Sequence, residues 1–241
     1  MQTSLPVALS AQLAMEKRLD TIANNLANTR TAGFRSEEVK FETYISNAAA
    51  RPVAFTSEGA SYISTRSGEL TQTGNSLDLA VAGNAFLAIQ GAKGTVYTRD
   101  GRMQMKDTGE LQTLNGEPVL DVGGAPILLD PNGGPMSVAR DGMITQNGVQ
   151  LGAVGLFTMP AGANLTRAGT SGVIPDKAAQ PVVEFEGVQV AQGYVEGSNV
   201  NPILEMTRLI AVQRAFEQAA NLTQTTESSL SNAISMLGAP K

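Results

Sequence analysis

Five carboxylates lie at spacings that could do chemistry: Asp100, Asp107 and Glu110 in one stretch, Glu184 and Glu186 in another. Two carboxyl groups flanking a glycosidic bond, one as acid and one as base or nucleophile, are what glycoside hydrolysis requires. A carboxylate-dependent glycan hydrolase is therefore the enzymatic reading to weigh. Turn chemistry weighs against it. Asp100 precedes Gly101, Asp107 stands close to Gly109, and Glu184 and Glu186 alternate as one solvated strand face would. The run Gly91-Ala92-Lys93-Gly94-Thr95 lacks the spacing and the following helix of a phosphate-binding loop. Asp121 to Asp130 lacks the alternating ligand series of a calcium loop. The chain contains no His and no Cys, which removes imidazole bases, thiolate nucleophiles, disulfides and the usual zinc ligands together. No catalytic residue, cofactor or metal site is expected.

Composition narrows the partners. A chain of 241 residues, 42% hydrophobic and 16% charged, can fold into one sizeable core or two modest ones. Aromatic residues make up only 5%, without a single Trp, so any core must be built from small aliphatic side chains. The net charge of −5 argues against nucleic acid, which asks for a basic face with aromatics for stacking. No run approaches the roughly 18 apolar residues that cross a bilayer, so no membrane insertion is expected. Leu5 to Ala14 is moderately apolar, but no Lys or Arg precedes it. Glu16, Lys17, Arg18 and Asp20 follow at once, so the segment reads as part of a helix and not as a cleaved signal.

The elements that would position any site fall into ends and middle. From Ala8 to Asn28 there is no Gly or Pro, and Met15, Leu19, Ile22 and Leu26 alternate at spacings of four and three. That is the seam of a coiled-coil-like helix, with Asn28 and Gly33 as its stop. At the other end Leu209, Val212, Phe216, Ala219, Thr223, Thr226, Leu230, Ala233 and Leu237 repeat the alternation. Asn201 before Pro202 supplies the start, and a helix from there to Leu237 would be roughly 50 Å long. Between them the period becomes two: Leu77, Leu79 and Val81 alternate with Asp78, Ala80 and Ala82. Gly83-Asn84, Asp100-Gly101, Asn115-Gly116, Asn132-Gly133, Asp141-Gly142 and Asn147-Gly148 then punctuate short apolar runs, as in antiparallel hairpins. Pro160 to Pro181 reads as a loop, and Val183, Phe185, Val188 and Val190 as a last hairpin. The expected fold is α+β: an N-terminal helix over 1–34, an extended connector over 35–76, a β-rich antiparallel domain over 77–190, and a return turn with the C-terminal helix over 191–241. The two helices would pair as a coiled-coil-like stalk, and a narrow apolar seam of this kind is prone to associate.

These segments resemble the flagellar axial family, which includes the rod and hook proteins. Asn24-Asn25-Leu26-Ala27-Asn28 with Thr31-Ala32-Gly33-Phe34 is similar to its N-terminal signature. Gly74-Asn75-Ser76-Leu77-Asp78-Leu79-Ala80-Val81 with Phe86 resembles the entry to its β domain, and Tyr97-Thr98-Arg99-Asp100-Gly101 the hairpin after it. Gln192-Gly193-Tyr194-Val195-Glu196-Gly197-Ser198-Asn199-Val200-Asn201-Pro202, then Glu205-Met206 and Gln213-Arg214-Ala215-Phe216-Glu217, resemble the turn into its last helix. Glu196-Gly197-Ser198-Asn199, the Val7-Ala8-Leu9-Ser10 opening and the chain length suit a proximal-rod member. A distal-rod member is usually longer, and a hook member carries an added domain.

The resemblance implies a role. Such proteins leave the cytoplasm through the flagellar export apparatus without a cleaved signal. They assemble helically in the periplasm with other rod proteins, as the shaft that carries torque to the hook. A shaft must pass the cell wall, which keeps a wall-cutting hydrolase as the rival. The residues expected at subunit interfaces are Met15, Leu19, Ile22 and Leu26, the amides of Asn24, Asn25 and Asn28, and Leu209, Val212, Phe216, Leu230 and Leu237. The three asparagines also suit a simple helix end, and the seams a hairpin within one chain.

Overall fold

A computed structural model of the chain describes residues 4–46, 53–57 and 59–238. Helix α1 (Ser4–Ala27) keeps Pro6 in its first turn, where a missing N–H costs little. It ends at Ala27 in a turn in which the Thr31 amide donates to the Asn28 carbonyl. Four short strands follow: β1 (Glu37–Lys40), β2 (Thr43–Ser46), β3 (Val53–Thr56) and β4 (Ala60–Ile63). β1 pairs with β4, and β2 with β3. The segment 35–76, expected as an extended connector with a few short strands, carries such strands, of which β5 (Leu70–Gln72) is the last.

The middle of the chain continues as β6 (Leu79–Ala82), β7 (Ala85–Gly91), β8 (Gly94–Thr98), β9 (Met103–Met105), β10 (Leu111–Thr113), β11 (Met136–Val138), β12 (Met143–Gln146), β13 (Val149–Ala153) and β14 (Leu156–Thr158). It ends with β15 (Leu165–Ala168), β16 (Gly172–Pro175), β17 (Gln180–Pro181), β18 (Gln189–Gln192) and β19 (Tyr194–Glu196), before α2 (Pro202–Gly238). The architecture is α+β.

Two compact units divide these elements. One is built from residues 1–27, 37–62 and 201–241, the other from 28–36 and 63–200. In the first, α1 and α2 pack together, and α1 also touches β1 and β3. The covered face of α2 is the expected four-three series: Leu209, Val212, Phe216, Ala219, Thr223 and Thr226 are each buried or half-buried. Asn201 caps the helix, its Oδ1 accepting from the Ile203 and Leu204 amides at 3.1 Å each.

In the second unit the largest sheet runs β15-β16-β8-β7-β14-β17. Its centre is β7, buried from Ala85 to Ile89 on both faces. Ala85, Leu87 and Ile89 enter a core with Leu79, Val81, Leu111, Val119, Ile144 and Leu156, while Phe86 turns to Ile63 and Val173 on the other side. The main core is aliphatic throughout, as a chain so poor in aromatics requires.

Three expectations change here. Residues 160–181 are not one loop: they hold β15, β16 and β17, and β16 pairs with β8 across more than seventy positions. Val183 and Phe185 are exposed and lie in no strand, and β18 pairs with β6 instead of closing a local hairpin. Gly83-Asn84 and Asp100-Gly101 join strands that do not pair with each other. Gly101 is there because the Leu79 carbonyl crosses so close that a Cβ would overlap it. By contrast Asn147-Gly148 joins β12 to β13 with φ of 50° and 76°, the geometry a two-residue hairpin needs.

Candidate functional site

The residues expected to bind other subunits lie mainly in the helical unit. Met15, Leu19, Leu26, Leu209 and Phe216 are half-buried, and Ile22 and Val212 are buried. Within the chain α1 packs on α2 and also on β1 and β3. Leu230 and Leu237 belong to α2, but their side chains lie outside the described residues. Asn25 is buried, and its amide works within the molecule. Its Nδ2 donates to the Glu37 carbonyl at 2.8 Å, and its Oδ1 accepts from the Glu37 amide at 2.9 Å. It therefore clamps the start of β1 onto α1. Asn24 and Asn28 are half-buried, and Asn28 Oδ1 accepts from the Thr31 hydroxyl at 3.0 Å.

The second unit contains a junction that periodicity did not single out. Glu196 at the end of β19 is fully buried between two buried arginines. Its Oε1 stands 2.9 Å from Arg35 Nη2, and its Oε2 stands 2.8 Å from Arg99 Nε. Oε1 also accepts from the Gly68 amide at 2.8 Å. Arg35 donates onward to the Thr65 carbonyl at 2.9 Å, and Arg99 to the carbonyls of Gly83, at 2.7 Å, and Ala85. Burial lowers the pKa of Arg35 to about 10; Glu196 opposes that shift and Arg99 adds to it. Arg99 is likewise lowered by burial, against the pull of Glu196. At neutral pH the group thus holds two cations on one anion.

Neighbouring signature residues serve the same junction. The Gly33 amide donates to the Glu196 carbonyl at 2.8 Å, and its φ of 66° and the nearby Asp100 backbone leave no room for a side chain. Asn199 accepts from the Ser36 amide at 2.7 Å and donates to the Arg66 carbonyl at 2.8 Å. Gln192 donates to the Ser76 and Met136 carbonyls and accepts from the Val138 amide. Arg167 lies over the Phe34 ring at 4.3 Å and donates to the Arg35 carbonyl. These side chains spend their hydrogen bonds on backbone groups, which is positioning and not chemistry.

The carboxylates of the hydrolase reading are occupied or solvated. Asp100 forms a two-point ion pair with Arg102 at 2.9 and 2.7 Å, and Glu110 pairs with Lys106 at 3.0 Å. Asp107 is exposed in a turn, and Glu184 and Glu186 are exposed outside any strand. A cavity of about 350 Å³ does open beside the Gly91–Gly94 turn, lined by Lys93, Asp100, Arg102, Glu117 and Ser171 among others. Its acidic groups are already engaged, Asp100 by Arg102 and Glu117 by the Thr113 hydroxyl at 2.8 Å. Among the described residues no group of acidic side chains is arranged to hold a metal ion, and no helix is long and apolar enough to cross a membrane.

Comparison with known proteins matches this layout from end to end. A model described as flagella basal body rod protein matches residues 5–35. One described as flagellar hook protein FlgE/F/G D1 domain matches 80–146, and one described as flagellar basal body rod FlgEFG protein C-terminal matches 191–236. The chain belongs to the flagellar basal-body rod protein family. Within that family its likeness is to FlgF: it is 52% identical over 238 residues to the FlgF of Mesorhizobium japonicum and 46% identical to that of Rhizobium meliloti, with 99% of each chain covered in both cases. The rod protein FlgG of Bacillus subtilis is 29% identical over 98% of this chain and 99% of its own. FlgF is the member that the Glu196–Asn199 wording and the chain length favour.

Proposed function

We infer that this chain is a structural subunit of the bacterial flagellar basal-body rod, which assembles with other flagellar rod and basal-body proteins and catalyses no reaction. One observation carries the reading: half the positions are identical to a FlgF along 99% of both chains. The buried junction supports it in kind, since Gly33, Glu196 and Asn199 of the family signature hold backbone in place.

The finer reading goes further. The paired terminal helices act as a coiled-coil-like stalk, and the chain polymerises helically in the proximal rod, the shaft that carries torque from motor to hook. The half-buried seam positions Met15, Leu19, Leu26, Leu209 and Phe216 are completed by neighbouring subunits, whereas Ile22 and Val212 serve the pair itself. The chain reaches the periplasm through the flagellar export apparatus and keeps its N-terminal segment. A drive shaft needs many repeated interfaces, because one modest patch yields only a few kcal/mol after the costs of association.

A deletion strain complemented with an epitope-tagged chain tests this. Restored swimming, with the tag present in purified basal bodies and Met1 intact by mass spectrometry, is the expected result. Normal flagella in the deletion strain, or a tag confined to the cytoplasm, would refute it.

A further inference from the structure

The chain holds three Asn-Gly pairs, at 115–116, 132–133 and 147–148. Such a pair can modify itself, because a glycine without Cβ lets its backbone nitrogen approach the asparagine side chain closely. The freedom of that nitrogen decides the outcome, since its N–H must give up a proton before it attacks. In the first pair the Gly116 amide donates to the Thr113 carbonyl at 3.0 Å, and in the second the Gly133 amide donates to the Asp130 carbonyl at 3.0 Å. Gly133 is also buried, so close to Gln146 that a Cβ would come within 2.7 Å of its side chain. Asn132 is fixed as well, its amide donating to Asp130 Oδ1 at 2.9 Å. The third pair has none of these ties. Asn147 and Gly148 are exposed, and no atom beyond the chain neighbours lies within 4 Å of where a Gly148 Cβ would stand. Among the described residues neither the Gly148 amide nor the Asn147 carboxamide has a hydrogen-bond partner. Asn147 is also the one non-glycine among them with left-handed backbone, at φ 50°, a conformation that disfavours a side chain.

We propose that Asn147 is a self-modification site, deamidating to aspartate and isoaspartate in the folded protein while Asn115 and Asn132 persist. Bringing Gly148 N onto Asn147 Cγ requires the loop to open. Here that loosens only the Gln146–Val149 end of an exposed hairpin. At the other two pairs it would break the glycine's own hydrogen bond, and at 132–133 it would shift buried backbone. The step needs only water. Gly148 N loses its proton to hydroxide and bonds to Cγ; the Cγ–Nδ2 bond breaks, and the departing nitrogen takes a proton from water and leaves as ammonia. Water then opens the cyclic imide. Breaking the bond from Gly148 N to Cγ gives aspartate, and breaking the bond from that nitrogen to the Asn147 backbone carbonyl carbon gives isoaspartate. Isoaspartate routes the main chain through the side chain and so adds one carbon to a two-residue loop. That displaces Val149 from its partner Gln146. Gln146 is the side chain that holds the 130–134 loop: it accepts from the Asp130 amide at 2.9 Å and donates to the Asp130 and Gly134 carbonyls at 2.9 and 2.6 Å. The modification thus loosens a second loop along with its own.

Ageing the purified full chain at mildly alkaline pH tests this. Peptide mapping by mass spectrometry reads the replacement of NH2 by OH at each asparagine, and labelling by an isoaspartate methyltransferase reads the isoaspartate share. In the folded chain Asn147 should convert several-fold faster than Asn115 and Asn132, at a rate that rises with hydroxide concentration. In urea the three rates should converge, because each pair then sits in open chain. Conversion at Asn115 or Asn132 as fast as at Asn147 in the folded chain overturns the proposal. So does an Asn147 that stays intact in the folded chain while the unfolded chain converts. The effect on the neighbouring loop has its own readout. Limited proteolysis within 130–134 should appear in the aged wild-type chain and not in an equally aged Asn147→Gln chain. Equal cleavage of the two would refute the link between the modification and that loop.

Discussion

Glu196 is the residue on which the β-rich unit depends most. Among the described residues it is the only carboxylate within ion-pair distance of Arg35 and Arg99, and all three are sealed from water. Breaking a buried pair costs more than the pair is worth, because the abandoned charge stays buried. Glu196→Gln keeps the shape and leaves two cations uncompensated, so it should destabilise the protein by about 3–5 kcal/mol, read as a lowered urea midpoint. The comparison belongs at pH 6, where wild-type Arg35, lowered by burial to about 10, is charged. The unfolded chain holds this proton more tightly than the folded one. The group therefore adds stability only as pH rises from about 10 toward the ordinary arginine value. A penalty below about 1 kcal/mol, the worth of a solvated pair, would show that the junction is not a closed ionic cluster. The triad was not legible in sequence as a unit. Its members stand at 35, 99 and 196, and no local period links them; the pattern offered only Arg99 and Glu196 as members of two signature segments, with Arg35 just beyond a third.

Elements were legible where a local rule decides them. The helices announce themselves by the lack of interior Gly and Pro and by their four-three series, and Asn201-Pro202 marks the start of α2 by capping chemistry. Asn147-Gly148 is likewise a hairpin because left-handed backbone is needed at both positions. Where strands pair at long range, sequence falls silent. β16 was hidden because its partner β8 lies more than seventy positions away, while β15 pairs with it in a local hairpin that no Asn-Gly or Asp-Gly pair marks, and Asp100-Gly101 owes its glycine to a crossing and not to a hairpin. Period alone does not say whether a seam's partner is the other helix of the same chain, but α1 and α2 do pack together. That pairing carries a prediction at this scale. Leu209→Asp or Phe216→Asp removes about 1–2 kcal/mol of half-buried apolar contact and sets a carboxylate in the seam. The purified variants should lose helical signal in far-UV circular dichroism and fail to support swimming. The β-rich unit should stay folded, because its core draws on neither helix. Unchanged helicity together with normal swimming would remove the seam from the account.

The molecule as a whole is built so that neither unit is one continuous piece of chain. The β-rich unit takes in residues 28–36 and 63–200, and its ionic centre needs a residue from each end of that range. That centre is complete only when Glu196 meets both Arg35 and Arg99. The helical unit is the opposite case. Among the described residues beyond Phe216, the four-three face of α2 holds Ala219, Thr223 and Thr226, side chains that bury little apolar area. A helix of 37 residues held by so thin a seam lies near the margin of stability in water unless something else covers it. Limited proteolysis of dilute purified chain should therefore trim both termini first and leave a fragment running from near residue 28 to near residue 200, identifiable by mass. In intact basal bodies the same sites should resist, because neighbouring subunits would complete the half-buried seam positions of α1 and α2. Termini that survive in dilute solution as long as the β-rich fragment would mean that one chain suffices to stabilise its own helices, and the physical reason for expecting a filament would then be gone.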